Sequence, residues 1–363
     1  MNDQLSIKKP GIFGRFASWI KRHKVLSIII GCVLLAAAVA GVLYIIFAQS
    51  PNSQPSYATA PKPLPKPVYY SPLTGEKVEN EAATKQAVTA IMLENSPDSR
   101  PQSGLKQAGI VYEAIAEGGI TRFLTLHQQD KPQMIGPVRS LRMYYVDWLA
   151  PYQASVAHVG GSAAALAEVR NGRYRDIDQF FNGAYYWRAT DRYAPHNVYT
   201  SFEKLDQLNA SKGYTESTFT AFQRTDGKPA ETPNATNITI NFSGAWYNTT
   251  YTYDAANNQY NRFLAGEPHV DREDGAITPK VVVALKVNET RVMEDGYRES
   301  IETIGSGEAI IFQNGTAIKA TWHKPDRFTH ISLKDEAGSE IPLVRGQTWI
   351  AAVPNGHGEV AWE

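Results

Sequence analysis

The chain has a single cysteine in 363 residues, Cys32, and it sits inside a long apolar run. The rest of the sequence therefore forms no disulfide within the chain, carries no thiol nucleophile and has no thiolate set for zinc. Net charge is missing too, with 36 Lys and Arg against 36 Asp and Glu. That balance is uneven along the chain. Residues 1–24 hold six basic residues and one acidic, whereas from Tyr69 onward 28 basic face 35 acidic residues. An acidic folded part lacks the basic excess on which nonspecific nucleic-acid affinity rests. Several motifs are absent as well. There is no G-x-S-x-G elbow and no H-E-x-x-H pair. "EGGI" and "VGGS" are too short for nucleotide loops, and their glycines suit tight turns. In "HVDREDG" the residues His269, Asp271, Glu273 and Asp274 do not follow the spacing of a calcium loop, and the segment reads as a solvated turn. Nothing in the sequence calls for a cofactor, a metal, a nucleotide or a nucleic acid.

What is present begins with "VLSIIIGCVLLAAAVAGVLYIIFA", Val25 to Ala48, which contains no charge. At about 1.5 Å per residue it is long enough to cross a hydrocarbon core with some tilt. Lys8, Lys9, Arg15, Lys21, Arg22 and Lys24 precede it, and the next charge after it is Lys62. This asymmetry predicts a single-pass signal anchor in a bacterial cell membrane. Residues 1–24 form a cytoplasmic basic segment, 25–48 the transmembrane helix in the lipid bilayer, and the C-terminal part lies outside. "IIGC" also has the form of a lipobox, whose cleavage would leave a lipidated Cys32. The apolar run continues for sixteen residues past that cysteine, which favours an uncleaved anchor. Residues 49–68 contain six prolines and read as a stiff, extended spacer.

Residues 69–224 read as a mixed α/β domain. Ala87–Asn95, Gly109–Glu117, Thr121–Gln129 and Ser155–Gly160 are short apolar or alternating runs that suit strands. Pro137 suits the first position of a helix that ends near Pro151. This places Arg139 and Arg142 of "GPVRSLR" one turn apart at a helix start. "GSAAALAEVRNG" and "SFEKLDQLNASKG" are two further helices, the second capped by Ser201. Residues 225–237 read as a connection. Residues 238–363 form a mostly β domain, in which Asn314-Gly315 supplies a hairpin turn.

"SPLTG", "ENSPDSRPQSGL", "GIVYEAIAEGGITRF", "IGPVRSLRMYY", "HVGGS" and "RYAPHNVYT" follow one another in this order, with "HVDREDG", "ATWHKP" and "GQTWIAAVP" beyond them. Together they resemble the YerB-like family of bacterial envelope proteins, typically described as lipoproteins. The resemblance runs from about Tyr69 to Val353. It implies an extracytoplasmic, membrane-attached protein with a two-domain ectodomain and no established activity, and it carries over no catalytic residues.

The candidate ligand-binding residues are arginines and their counter-charges: Arg100, Arg122, Arg139, Arg142, Arg188, Arg192, Glu113 and Glu117. A cation in the first turn of a helix opposes the helix dipole, so Arg139 and Arg142 call for an anionic ligand or a carboxylate. One reading is a groove for an anionic envelope polymer, or for an envelope partner protein. The other is an internal network bracing loops. His158 and His196 lie in loops and, with a carboxylate such as Asp176, would be the groups of a wall- or glycan-directed hydrolase. A scaffold in an envelope complex is a third alternative. The aromatic run Tyr185–Tyr193 suits core or sugar stacking.

Overall fold

The computed structural model describes residues 11–49, 67–291 and 298–363. The proline-rich spacer lies almost wholly outside the described residues. The described residues fall into two units, divided between positions 66 and 67.

In the first unit, helix α1 (Ile12–Arg22) is followed by helix α2 (Lys24–Ala48). His23 separates them with φ −123° and ψ 50°, outside helical geometry. α2 has no buried residue and presents apolar side chains all round, as a helix does when its surroundings are themselves apolar. Cys32 is exposed within this uninterrupted helix.

The second unit is built on a ten-stranded mixed sheet. Its strands are β1 (Thr89–Glu94), β2 (Ile110–Glu117), β3 (Ile120–His127), β4 (Ser155–Ala157), β5 (Arg175–Asp176), β6 (Val281–Val287), β7 (Gly305–Gln313), β8 (Thr316–Lys324), β9 (Ser332–Lys334) and β10 (Thr348–Pro354). Their spatial order is β9-β8-β7-β6-β10-β2-β3-β1-β4-β5. β10, close to the C-terminus, lies parallel to β6 on one side and to β2 on the other. The α/β stretch and the mostly β stretch thus share one sheet, and the core continues across the change of composition at 225–237. β10 reads "TWIAAVP" and is buried on both faces, as suits a strand in the middle of a covered sheet.

Strand alternation distributes the core. Ala90 and Met92 of β1 pack on one face of the sheet with helix α3 (Met143–Leu149). Ile91 and Leu93 pack on the other, with helix α5 (Phe202–Ser211). Between them in sequence, helix α4 (Ala163–Val169) is capped by Ser162, and the Ser201 hydroxyl accepts from the Lys204 N–H at the start of α5. A five-stranded antiparallel sheet, containing Asn237–Asn241, Thr249–Asp254, Gln259–Leu264 and Glu359–Trp362, covers part of the large sheet, with Ile240, Phe242 and Tyr260 in one cluster with Phe312 of β7. The expected hairpin turn is present: Asn314 and Gly315 have φ of 57° and 77° between β7 and β8. A β-carbon on Gly315 would meet the Tyr253 ring at 2.5 Å.

One element differs from expectation. No helix begins at Pro137. The Val138 N–H donates to Val198, that of Arg139 to Met92 and that of Leu141 to Gly160, so this stretch is extended and paired with three separate segments. These long-range hydrogen bonds outweigh local helix preference. Arg142, with φ −127° and ψ 159°, precedes α3 in extended conformation. Arg139 and Arg142 therefore do not share a helix face. α3 has only seven residues, and its start is no anion site.

Candidate functional site

Five of the six arginines named from sequence fall into two groups, and the sixth, Arg139, pairs with Glu94. Arg122 and Arg142 converge on Glu117 with N–O distances of 2.6 and 2.5 Å, and both guanidinium groups are nearly buried. Arg122 also donates to the Ser140 carbonyl, and Arg142 to that of Leu141. The two cations hold Glu117 below the ordinary carboxylate range against the opposing effect of burial. This is an internal clamp that ties the end of β2 to the loop before α3. Glu113 is likewise internal, fully buried against Arg262.

Arg100, Arg188 and Arg192 have a different environment. Arg100 donates to Asn95 and to the Trp246 carbonyl, and its guanidinium lies 5.4 Å from the centre of the Tyr247 ring. Arg192 donates to the carbonyls of Asp98 and Pro101, and Arg188 to the Asn197 amide oxygen. All of these acceptors are formally neutral. Arg100 and Arg192, with Arg272, His196, Asp98, Asp191 and Tyr193, line an open cleft of about 720 Å³. Asp191 is paired with Arg272 at 2.6 Å. Tyr193, at the cleft, and Trp246, on the segment that Arg100 holds, are 91% and 65% exposed, well above the usual accessibility of large rings.

Beneath the cleft lies Glu94, at the end of β1 and almost fully buried. One of its oxygens is 2.9 Å from His196 Nδ1, 3.2 Å from Arg139 Nε and 3.0 Å from the donating Ser96 hydroxyl. Among the described residues, its other oxygen is buried without a hydrogen bond. Ser96 Oγ also approaches His196 at Nδ1, 3.2 Å away. Serine and carboxylate thus meet the same ring nitrogen, so Ser96, His196 and Glu94 do not form a proton relay toward a nucleophile. Among the described residues, His196 Nε2 carries no hydrogen bond, and the side chain is partly exposed.

His158 is placed otherwise. It is fully buried, with Nδ1 2.7 Å from the Gly160 carbonyl and Nε2 2.9 Å from Asp176. Neither nitrogen is left for a substrate, and Asp176 serves to hold the ring. His269 is also internal, so the solvated turn expected of its segment is confined to Arg272–Asp274, which is an exposed turn. The Arg262 Nε–H can only donate, so His269 Nδ1 accepts from it, and Nε2–H donates to Gln102. Burial, aided by Arg262 and Arg100, pushes its pKa well down and keeps it neutral. Asp271 is buried as well, accepting from the Lys106 N–H. In the run Tyr185–Tyr193, Tyr186 is core, as one reading expects, whereas Tyr193 is exposed.

Sequence reasoning missed Glu94, Ser96, Asp98, Asp191 and Arg272. They carry no motif and come from three separate stretches of chain. The one available signal was the density of charge in "WRATDR" and "HVDREDG". Among the described residues no group of three His, Cys, Asp or Glu side chains is arranged to hold a metal ion.

The order of motifs, the shared sheet and the cleft can be set against known proteins. Residues 73–215 match the N-terminal domain, and residues 238–350 the C-terminal domain, of DUF3048, a family described as a protein of unknown function. A Bacillus subtilis (strain 168) protein named "Putative lipoprotein YerB" is 33% identical over 290 residues, covering 78% of this chain and 86% of that protein. The chain belongs to the YerB-like family. The crystal structure of the YerB protein from Bacillus subtilis is similar with a TM-score of 0.73 and 29% identity, covering 81% of this chain and 99% of that one. The two family domains meet in the ten-stranded sheet, where β10 of the C-terminal stretch is hydrogen-bonded to β2 of the N-terminal one. The cleft of this YerB-like chain likewise draws on both. Asp98, Arg100 and Arg192 fall within the first family domain and Arg272 within the second.

Proposed function

We propose that this YerB-like protein is a membrane-anchored extracytoplasmic binding protein that takes an anionic, sugar-containing envelope polymer in the cleft of Arg100, Arg192 and Arg272. The observation that carries this reading is the pairing of Arg100 and Arg192 with neutral oxygens at an open surface. Their hydrogen bonds orient the guanidinium groups without cancelling their charge, so an anionic ligand meets positioned cations. Tyr193 and Trp246 supply exposed rings on which a sugar can stack. The name of the Bacillus subtilis relative supports attachment to the membrane. For this chain we assign attachment to α2, spanning once with 1–24 inside, because the helix runs on past Cys32 to Ala48 where a lipidated cysteine would be followed by polar chain.

His196 favours a second reading, a hydrolase acting on the same polymer. Glu94 holds Nδ1 and leaves Nε2 able to take a proton from water or a hydroxyl. One experiment addresses both. Binding of the full chain to a phosphate-bearing or uronic-acid polysaccharide is measured at two salt concentrations, with release of reducing ends followed in parallel. The expected result is salt-sensitive binding, weakened roughly tenfold or more in R100Q/R192Q with a shallower salt dependence. Binding unchanged in that variant would overturn the cleft assignment. Release of reducing ends that disappears in H196Q would establish the hydrolase.

A further inference from the structure

Helix α1 lies outside everything said of the cleft. Its sequence is "IFGRFASWIKR", and Ile12, Phe13, Phe16, Trp19 and Ile20 fall at positions i, i+1, i+4, i+7 and i+8. That spacing gathers five large apolar side chains on one side of the helix. Arg15, Ser18, Lys21 and Arg22 occupy the other side. Ile12, Phe13 and Phe16 are 86, 91 and 62% exposed, and none of the eleven residues is buried. A short helix with so large an apolar stripe does not persist in water without a surface to cover it. His23, outside helical geometry, interrupts the helix directly before α2, so α1 need not continue along the axis of the span.

We propose that α1 is an interfacial helix lying on the cytoplasmic leaflet, its apolar stripe sunk to the headgroup boundary and its cations against anionic lipid headgroups. The occupant of the stripe is the bilayer that α2 enters one residue later, so the surface is continuous with the anchor. Arg15, Lys21, Arg22 and Lys24 complement anionic headgroups, and Trp19 has the amphipathic ring found at membrane interfaces. This rests on the reading of α2 as an uncleaved anchor. It adds a second attachment that restricts how the inner end of the span tilts and rotates.

The test uses the full chain reconstituted in phosphatidylglycerol-containing vesicles, with spin labels on cysteines. One sample is labelled at native Cys32. The others carry F13C, I20C or S18C in a C32S background. Immersion is read as collision with oxygen relative to a water-soluble nickel chelate. The expected result is a ratio several-fold higher at positions 13 and 20 than at 18, with the contrast reduced in pure phosphatidylcholine vesicles. Water-like ratios at 13, 18 and 20 beside an immersed Cys32 label would overturn the interfacial helix and leave the anchor standing. Equal immersion at all three would also overturn it, because α1 would then be part of the span. A water-exposed Cys32 label would remove the anchor reading and this proposal with it.

Discussion

Arg262 and Glu113 meet at 2.9 Å, and neither side chain has measurable contact with solvent. Glu113 comes from β2 in the first family domain, and Arg262 from the five-stranded sheet in the second. The Trp349 indole and the Thr121 hydroxyl also donate to this carboxylate, and the Arg262 guanidinium lies 4.1 Å from the centre of the Trp349 ring. Burial raises the Glu113 pKa, and Arg262, Trp349 and Thr121 oppose that rise without reversing it. The donors converging on it, of which arginine and indole can only donate, are what hold the carboxylate form.

Removing one partner of this pair strands a buried charge. R262M is expected to lower stability by about 3–5 kcal/mol, and adding E113Q to recover much of that loss. Urea unfolding of the two variants beside the parent checks this. An R262M unfolding free energy within about 1 kcal/mol of the parent's would show that the pair does not hold the two domains together.

The Glu117 clamp leads to a similar expectation with an internal comparison. E117A leaves two nearly buried guanidinium groups without an anion and is expected to cost about 3–5 kcal/mol. R139A removes a partner that is about a quarter exposed from the buried Glu94, which keeps His196 and Ser96, so its cost is expected to be smaller, about 1–2 kcal/mol. Thermal unfolding of both variants gives the ranking. The reverse order would mean that Arg139, rather than Arg142, braces this loop.

Glu289 provides a pH dependence. Burial, then repulsion from Glu299, raises its carboxyl to about 7. Among the described residues one of its oxygens is buried without a hydrogen bond, and His357 stands 3.7 Å from the other. The folded state therefore holds this proton more tightly than the unfolded chain does. Its stabilising contribution is complete below the unfolded pKa near 4.5 and is lost as pH rises to about 7. The slope is at most about 1.4 kcal/mol per pH unit. E289Q is expected to match the parent near pH 4 and to exceed it in stability at pH 8, by unfolding at the two pH values. Equal stability at pH 8 would mean that Glu289 ionises in the fold without penalty.

The β1 to β4 segments, the Ser201 cap and the Asn314-Gly315 turn were legible because each rests on local chemistry: alternation, a hydroxyl on the residue just before a helix, and two residues tolerant of positive φ. "GPVRSLR" was misread for the converse reason. Its extended form depends on hydrogen-bond partners at Met92, Gly160 and Val198, which local preference does not register. The cleft was half legible. Arg100, Arg192 and His196 stood out as charge in loops, whereas Arg272 and Glu94 became part of it only through folding.

By itself, the sequence determined the apolar span, its basic flank, the family and the change from α/β to β composition. These are properties of contiguous residues, set by length, charge and periodicity. Tertiary structure decided that the last long strand enters the sheet between β6 and β2, which arginines are neutralised and which face solvent, and that His158 is buried while His196 reaches a cleft. Each of those depends on groups far apart in the chain being brought within a few ångströms, where burial and a neighbouring charge set what a side chain can do.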